Sequence, residues 1–591
     1  MKKNSFIYVI CKIIKIIAQS APISVAVLFL YSIVNALTPA LLNIAVAGMI
    51  DSIIAAVSSS IEYKNVIAFA VFYAVIYVLR DFMLLATSIL ENTGIYEKSL
   101  NALKRDFYIK MTKIAPVEFE KPSFLDQRLR AEQTIQDEVI PAAFHRLINI
   151  VCSGLTIVSI AVLLFGYQKI LVVSMLISVI PYGITRVLRG KSFFSLKNTQ
   201  VHKNRYLQYL WKLFSDKKTA KEMRVMGFDK TMAQKWNSVN REVNEEVWQL
   251  TRKDNKNLFF CNILCMCGYL FSILLIIYLT LEEVLSIGIL GACINTFISL
   301  QDSVKRFLDD IGAWVEEIED AKIYFDFLDK PERDEERGED ASLENAIRLR
   351  DVSFTYPCAD KKALDCVNLE IKKNETVVVL GQNGSGKSTL SKLILGMYVP
   401  EQGEVLYDGK SVLSLNYQSI YSNIAVMMQN YGKYNLSIRE NIAISDLDKL
   451  NANDRIQEVL KFVGMEEEVR RKGGYDTEIG REFGGVEFSG GQWQKIAIAR
   501  TLFADKPVII MDEPTSAIDA IKESELLNSF LMLSRNRTAI IISHRVGVCK
   551  FADKIVVMKD GKVQEIGTHD ELIGHAGEYS RLYNEQRKWY Y

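Results

Sequence analysis

The sequence lacks a surplus of charge of either sign. Lysine and arginine number 71 and aspartate and glutamate 70, a formal net charge of +1. A chain with so balanced a surface offers no basic footprint, so no nucleic-acid partner is expected. Paired cysteines are lacking too. The nine cysteines are scattered without the spacing of a zinc site or a disulfide framework, and Cys261, Cys265 and Cys267 fall inside one apolar span, where a thiol serves as a small hydrophobe. No cleavable leader is expected either: residues 1–20 carry Lys2, Lys3, Lys12 and Lys15 but no small-residue cleavage site behind a short apolar core. The basic start instead favours a cytoplasmic N-terminus.

Apolar residues are abundant, at 49% of 591, and unevenly spread. A chain of this length exceeds a single core, since a domain takes roughly 150 residues. Six apolar spans stand at about 23–49, 66–90, 148–166, 170–188, 258–281 and 284–300, each near the roughly 20 residues a helix needs to cross a bilayer. Tyr167-Gln168-Lys169 alone separates the third from the fourth, and little more than Glu282-Glu283 the fifth from the sixth, so both hinges are tight turns. The connections 91–140 and 189–257 hold most of the lysine and arginine outside the C-terminal part, which places both loops and both termini in the cytoplasm. Helical patterning continues into these loops, at 96–113 and 206–217, so the membrane helices extend beyond the bilayer. Arg80 and Asp81, inside the second span, are either a structural ion pair or part of a cargo path. Pro39 and Pro181 are candidate kinks in spans one and four. Residues 329–345 are charged and apolar-poor and read as a linker between a membrane part, 1–328, and a soluble α/β part, 346–591.

The soluble part is organised around Gly381-Gln382-Asn383-Gly384-Ser385-Gly386-Lys387-Ser388-Thr389, which follows the apolar run 376–380 and precedes the apolar-periodic segment 390–395. That is strand, glycine-rich loop, helix, the phosphate-loop pattern, in which successive backbone N–H groups and a helix N-terminus face phosphate oxygens. Lys387 would reach the β- and γ-phosphates and the Ser388 hydroxyl would hold Mg²⁺. A second buried-strand run, Val508-Ile509-Ile510-Met511, delivers Asp512 and Glu513 to the sheet's carboxyl edge, where such folds bind ligands. Asp512 would orient Mg²⁺ and Glu513 polarise the attacking water. Upstream, Phe488-Ser489-Gly490-Gly491-Gln492 leads into a helix and forms another anion site. One nucleotide does not need two phosphate cradles, so two copies, each lending this turn to the other's loop, are the economical reading.

With these motifs in order, the chain resembles the ATP-binding cassette (ABC) transporters along essentially its whole length. The resemblance implies that Tyr356, in Phe354-Thr355-Tyr356-Pro357, stacks on adenine; that Gln429, in Met427-Met428-Gln429-Asn430, senses Mg²⁺ and the lytic water; that Asp519, in Ser516-Ala517-Ile518-Asp519, belongs to the D-loop; and that His544, in Ile542-Ser543-His544-Arg545, is the switch histidine at the γ-phosphate. Phe488 stands where the family usually has leucine. Six spans fused ahead of one cassette resemble an exporter-type half-transporter, a multidomain membrane protein with a six-helix bundle and an α/β P-loop domain. Phe119-Glu120-Lys121-Pro122-Ser123-Phe124-Leu125-Asp126 and Ala220-Lys221-Glu222-Met223-Arg224 resemble its two coupling segments.

Because every ATP-site element is intact, a homodimer is the first expectation; a heterodimer with a degenerate partner half is the other. Residues 479–487 before the signature and Gln492-Trp493-Gln494-Lys495 resemble exporters of bacterial peptides such as lantibiotics, which implies a peptide cargo and a bacterial plasma membrane with its surrounding lipid. An amphipathic drug or lipid is the second cargo reading. Spans beginning near residue 23 leave no expectation of an N-terminal cysteine-protease domain. Siderophore import and a sensor with ATPase activity but no flux are the readings of another class; a soluble ribosome-acting ATPase is excluded by the six spans.

Overall fold

The computed structural model describes residues 6–59, 63–514 and 536–587, in two compact units: Met1–Lys110 with Asp126–Lys330, and Met111–Leu125 with Pro331–Tyr591.

The first unit is helical. A short α1 (Phe6–Ser20) leads into α2 (Pro22–Ser59), α3 (Lys64–Ile89), α4 (Lys98–Thr112), α5 (Pro122–Gln136), α6 (Val139–Tyr167), α7 (Lys169–Ser215), α8 (Lys217–Met226), α9 (Asp229–Leu281) and α10 (Ile287–Leu328). Among the described residues, five helical stretches are long and apolar enough to cross a bilayer: Pro22–Val57, Lys64–Thr112, Val139–Tyr167, Asp229–Leu281 and Ile287–Leu328. The remaining expected span, 170–188, lies at the start of α7, several of whose side chains are outside the described residues. Gln168 alone separates α6 from α7. The last helix starts later than residue 284, because Ser286 caps it by accepting from Ile289 N–H while Asp51 accepts from both the Ser286 hydroxyl, at 2.7 Å, and Gly288 N–H, at 2.8 Å. Between α3 and α4 the chain passes through a π-helical stretch, Leu90–Glu97, where Gly94 lies so close to Ser24 that a Cβ would sit 2.1 Å from its Oγ. Arg146 of α6 donates to Glu317 at 2.6 Å and Asp310 at 3.3 Å, tying α6 to α10. Pro39 and Pro181 both lie inside helices, α2 and α7.

The second unit is an α/β domain. Its strands are β1 (Ala346–Thr355), β2 (Lys362–Lys372), β3 (Thr376–Gly381), β4 (Gln402–Tyr407), β5 (Lys410–Ser411), β6 (Ile424–Met427), β7 (Val508–Asp512), β8 (Thr538–Ser543), β9 (Lys554–Lys559) and β10 (Lys562–Gly567). Among the described residues they form a four-stranded antiparallel sheet, β2-β1-β4-β5, and a six-stranded sheet, β10-β9-β3-β8-β7-β6, parallel except for β10. Alternation decides which side each residue serves. Val377, Val379, Ile510 and Ile540 pack with the four-stranded sheet, α11 (Lys387–Ile394) and α12 (Tyr417–Asn423), while Val378, Leu380, Ile509 and Ile541 pack toward α13 (Ile438–Ala443), α14 (Asn453–Phe462), α15 (Glu466–Arg471) and α16 (Gly490–Phe503). Covered on both faces, these strands read as unbroken apolar runs.

Of residues 329–345, which the sequence presents as a linker, 331–345 lie along this unit. Glu335 and Glu339 carbonyls accept from Tyr417 N–H at 2.9 Å and Asn416 N–H at 2.7 Å, and the Arg333 guanidinium sits 3.5 Å from the Tyr417 ring centre. High charge signals solvent contact but says nothing of the main chain, which does the docking. Residues Met111–Leu125 belong here too: their 3-10 turn, Pro116–Glu120, sets Val117 against the core between the sheets, and Arg333 N–H donates to Lys113 O at 2.8 Å.

Candidate nucleotide site

The order β3-β8-β7-β6 in the parallel sheet places four carboxyl-terminal loops side by side. The loop after β3 is 382–386. Gly384 and Gly386 take φ of +80° and +99°, and a Cβ on Gly386 would stand 2.6 Å from Ala363 O, so a side chain there is excluded by both backbone and neighbour. Gly386 caps α11 without any side-chain hydrogen bond, which leaves the first N–H groups of that helix to a ligand. Lys387, buried, donates to Gly381 O at 2.8 Å and Gln382 O at 2.9 Å. Burial lowers its pKa, with Glu513 and Asp512 acting in the opposite sense. Gln382 and Asn383 are exposed at the mouth of the loop, and Ser385 Oγ is buried without a hydrogen-bond partner among the described residues.

Strand β7 ends at Asp512, 3% exposed. Burial pushes its carboxyl pKa up, opposed by a hydrogen bond from Ser388, and its Oδ1 is buried with no partner among the described residues. A desolvated carboxylate oxygen beside a hydroxyl at a helix start is the donor set of a hard divalent cation that takes its other oxygens from phosphate and water, so these residues fit Mg²⁺. Glu513 follows at φ +52°, a left-handed conformation costly for a non-glycine residue, and it precedes Pro514. Its N–H donates to Ile542 O at 2.9 Å and its carbonyl accepts from Gln494 Nε2 at 3.2 Å.

Two side chains, from the ends of the strands on either side of β7, meet at this glutamate. Gln429, just past β6, donates from Nε2 to Glu513 Oε2 at 3.3 Å; His544, just past β8, has Nδ1 3.2 Å from Glu513 Oε1. Main-chain anchors hold the histidine's segment, with Gln586 Nε2 donating to His544 O at 2.6 Å and Arg545 N–H to Ser543 Oγ at 2.9 Å.

Tyr356 stands at the other flank. Its hydroxyl is 3.2 Å from Thr389 Oγ1, and its ring is edge-on to Phe354 and Tyr398. The Ser489 turn is a different kind of helix start: Ser489 Oγ accepts from Gln492 N–H and Gln492 Oε1 from Ser489 N–H, a capping box on α16. Phe488 is buried against Trp493, with ring centres 6.3 Å apart. Gly490 is exposed, with open space where a Cβ would be. Among the described residues no hydrogen bond joins this turn to the loop 381–389. Asp519 lies outside the described residues.

Sequence reasoning missed Gln494, which clamps the Glu513 carbonyl, and Arg500, whose guanidinium donates to Asn441 O at 2.8 Å and to Gly432 O at 3.2 Å, fastening α16 to the segment after Gln429. Both are directed at main-chain oxygens, which no motif marks; the helical spacing from Ser489 is the only signal available.

Residues 364–516 match the family model described as ABC transporter. The nisin transport ATP-binding protein NisT of Lactococcus lactis subsp. lactis is 32% identical over 70% of this chain and 70% of its own length. The subtilin transport ATP-binding protein SpaT of Bacillus subtilis is 28% identical over 80% of this chain and 78% of its own, and the ATP-dependent lipid A-core flippase of Escherichia coli K12 is 28% identical over 76% and 77%. A solved bacterial Atm1-family ABC exporter with ATP bound superposes with a TM-score of 0.74 at 21% identity, covering 94% of this chain and 97% of that one. The chain belongs to the ABC transporter family: a multi-pass membrane protein of exporter fold whose ATP-binding domain couples ATP hydrolysis to transport.

Proposed function

We propose that the chain is a half-transporter that exports a peptide across a bacterial plasma membrane as a dimer, a homodimer in the first instance, with both termini cytoplasmic and helices of the first unit forming the membrane domain. The observation that carries the catalytic part is the convergence of Gln429 and His544 on Glu513, beside Lys387 and Asp512. In this reading Tyr356 stacks on the base, the N–H groups of 381–389 and Lys387 bind the phosphates, and Ser388, Asp512 and Gln429 hold Mg²⁺, which neutralises phosphate charge when bound. Glu513 orients the attacking water and accepts its proton, and His544 fixes the Glu513 carboxylate on one side as Gln429 does on the other. The Ser489-Gly490-Gly491-Gln492 turn, exposed and remote from its own loop's hydrogen bonding, acts on the nucleotide of the second copy, with Asp519 in the connecting loop.

A cavity of about 770 Å³ in the first unit supports a peptide cargo. Asn35, Arg80, Asn149, Asp302 and Arg306 line it together with Tyr77, so amide donors and acceptors, both charge signs and an aromatic face line the same space. Peptide bonds want that mixture, whereas an acyl chain would leave those groups unpaired. Arg80 is held by Asp81 of its own helix at 2.9 Å and lies over the Tyr77 ring at 4.3 Å, so this pair does not lock two helices together.

The test is ATPase activity in lipid nanodiscs with a panel of cationic peptides, lipids and drugs, followed by flux into sealed inside-out vesicles. Stimulation and ATP-dependent uptake of a peptide are expected. Stimulation by lipid alone, or ATPase without flux, overturns the peptide-export reading, and a chain that binds ATP but is silent alone overturns the homodimer.

A further inference from the structure

The loop segment packed with the cassette brings a carboxylate to the aromatic flank of the nucleotide site. Within the second unit, the Tyr398 hydroxyl donates to Glu120 Oε1, and Lys392 Nζ lies 3.6 Å from the same oxygen. Lys392 belongs to α11, the helix that begins at Lys387, and its ammonium donates to Tyr398 Oη at 3.2 Å and Tyr356 Oη at 3.4 Å. Tyr356 continues the chain to Thr389 Oγ1 at 3.2 Å. The rings are equally joined: Phe354 stacks on Tyr398 at 5.3 Å, and Tyr356 meets them edge-on at 5.3 and 5.8 Å. Lys392 Nζ also lies 5.4 and 5.0 Å from the centres of the Tyr356 and Tyr398 rings.

A half-exposed ion pair alone contributes little. Here one ammonium is shared among a carboxylate, two phenol oxygens and two ring faces, so the groups shift together rather than singly. Burial, and then the bond to Glu120, push the Tyr398 hydroxyl up to about 12, so it stays a donor throughout the physiological range. The Lys392 charge is also felt at Asp512, where it works against the effect of burial.

We propose that Glu120, Lys392 and Tyr398 are positioning residues through which the first cytoplasmic loop sets the stance of Tyr356 and hence the affinity for the adenine base. This rests on the reading of Tyr356 as the base-stacking aromatic. Linkage makes the effect reciprocal: nucleotide that fixes Tyr356 tightens the docking of 116–120 on the cassette.

The full chain in nanodiscs is titrated with ATP and GTP by displacement of a fluorescent nucleotide. Glu120→Ala and Tyr398→Phe are each expected to weaken ATP about fivefold and to narrow the ATP-over-GTP preference, with the cassette's melting transition unmoved. Glu120→Gln, which keeps the acceptor, restores most of the affinity. On a Tyr356→Ala background Glu120→Ala adds no further loss, because the relay acts through that ring. Wild-type affinity in both single variants, or an undiminished Glu120→Ala effect without Tyr356, overturns the relay alone. An unchanged ATP affinity in Tyr356→Ala overturns the base-stacking reading, and the relay with it.

Discussion

Two helices of the cassette begin at glycine-rich turns that present N–H groups, and they begin differently. At α11 the cap is Gly386, left-handed and without a side-chain acceptor, enclosed so tightly that a methyl group would collide with Ala363 O. At α16 the cap is Ser489, whose hydroxyl and Gln492 satisfy two donors between them, and Gly490 faces open space. The first end has unmet donors, a buried lysine turned onto its own loop carbonyls, and an acid with an orphaned oxygen beside it. The second is content alone. A helix start left incomplete suits the nucleotide loop proposed above, and a self-capped, exposed one suits the proposed role on the second copy's nucleotide.

The largest expected effect sharpens the first half of that comparison. Glu513→Gln keeps the shape and the bond from Gln429 but removes the proton acceptor, so ATPase falls by about 10²–10⁴-fold while ATP affinity in a filter or fluorescence assay stays near wild type. Normal turnover would exclude Glu513 as the base. The second test makes one substitution at both ends. Gly386→Ala forces a Cβ into a φ of +99° and against a carbonyl, which costs about 1–3 kcal/mol and at least about tenfold in ATP affinity. Gly490→Ala, at a helical position with open space, leaves ATP affinity unchanged and changes stability by no more than about 0.5–1 kcal/mol. Equal losses at the two positions would erase the distinction. A third variant, Gly490→Asp, sets a carboxylate at the start of α16; ATP binding stays within about twofold, and ATPase drops by about tenfold or more because the new charge repels the other copy's phosphate.

Period and position made much of this legible in the sequence. The runs 376–380 and 508–511 are unbroken because both faces of β3 and β7 are covered, and the residues that follow them are delivered to one sheet edge by strand order. Gln429, Glu513 and His544 could be named from motif order, but that their side chains meet depends on β6, β7 and β8 being neighbours, which no local pattern states. The π-helical stretch Leu90–Glu97 carries the close approach of Gly94 to Ser24, a tertiary contact that no local pattern in the sequence marks. The docking of 331–345 was hidden because main-chain hydrogen bonds leave no mark on composition. The membrane helices overran their apolar spans for a simple reason: hydropathy ends at the bilayer, and hydrogen bonding within a helix does not.

The smallest effect concerns the cost of keeping the α11 site incomplete. Burial raises the Asp512 pKa above its ordinary 3.8, so the folded chain holds this proton more tightly than the unfolded one. The stability from this group is therefore full below the unfolded value and lost as pH rises through the folded value; at neutral pH the ionised carboxylate is a burden. Asp512→Asn removes that burden, and without nucleotide the cassette transition in scanning fluorimetry rises by about 2–4 °C at pH 7, equivalent to about 1 kcal/mol. As the pH falls through the raised folded value the gain shrinks, since the wild-type group then takes up its proton. Mg²⁺ with ATP is expected to reverse the order, stabilising the wild type but not the variant, because in the proposed site the burden is also the ligand. A variant no more stable than wild type at pH 7 and no less responsive to Mg²⁺ with ATP would mean that Asp512 carries neither the strain nor the metal, and the contrast between the two helix starts would then rest on Gly386 and Lys387 alone.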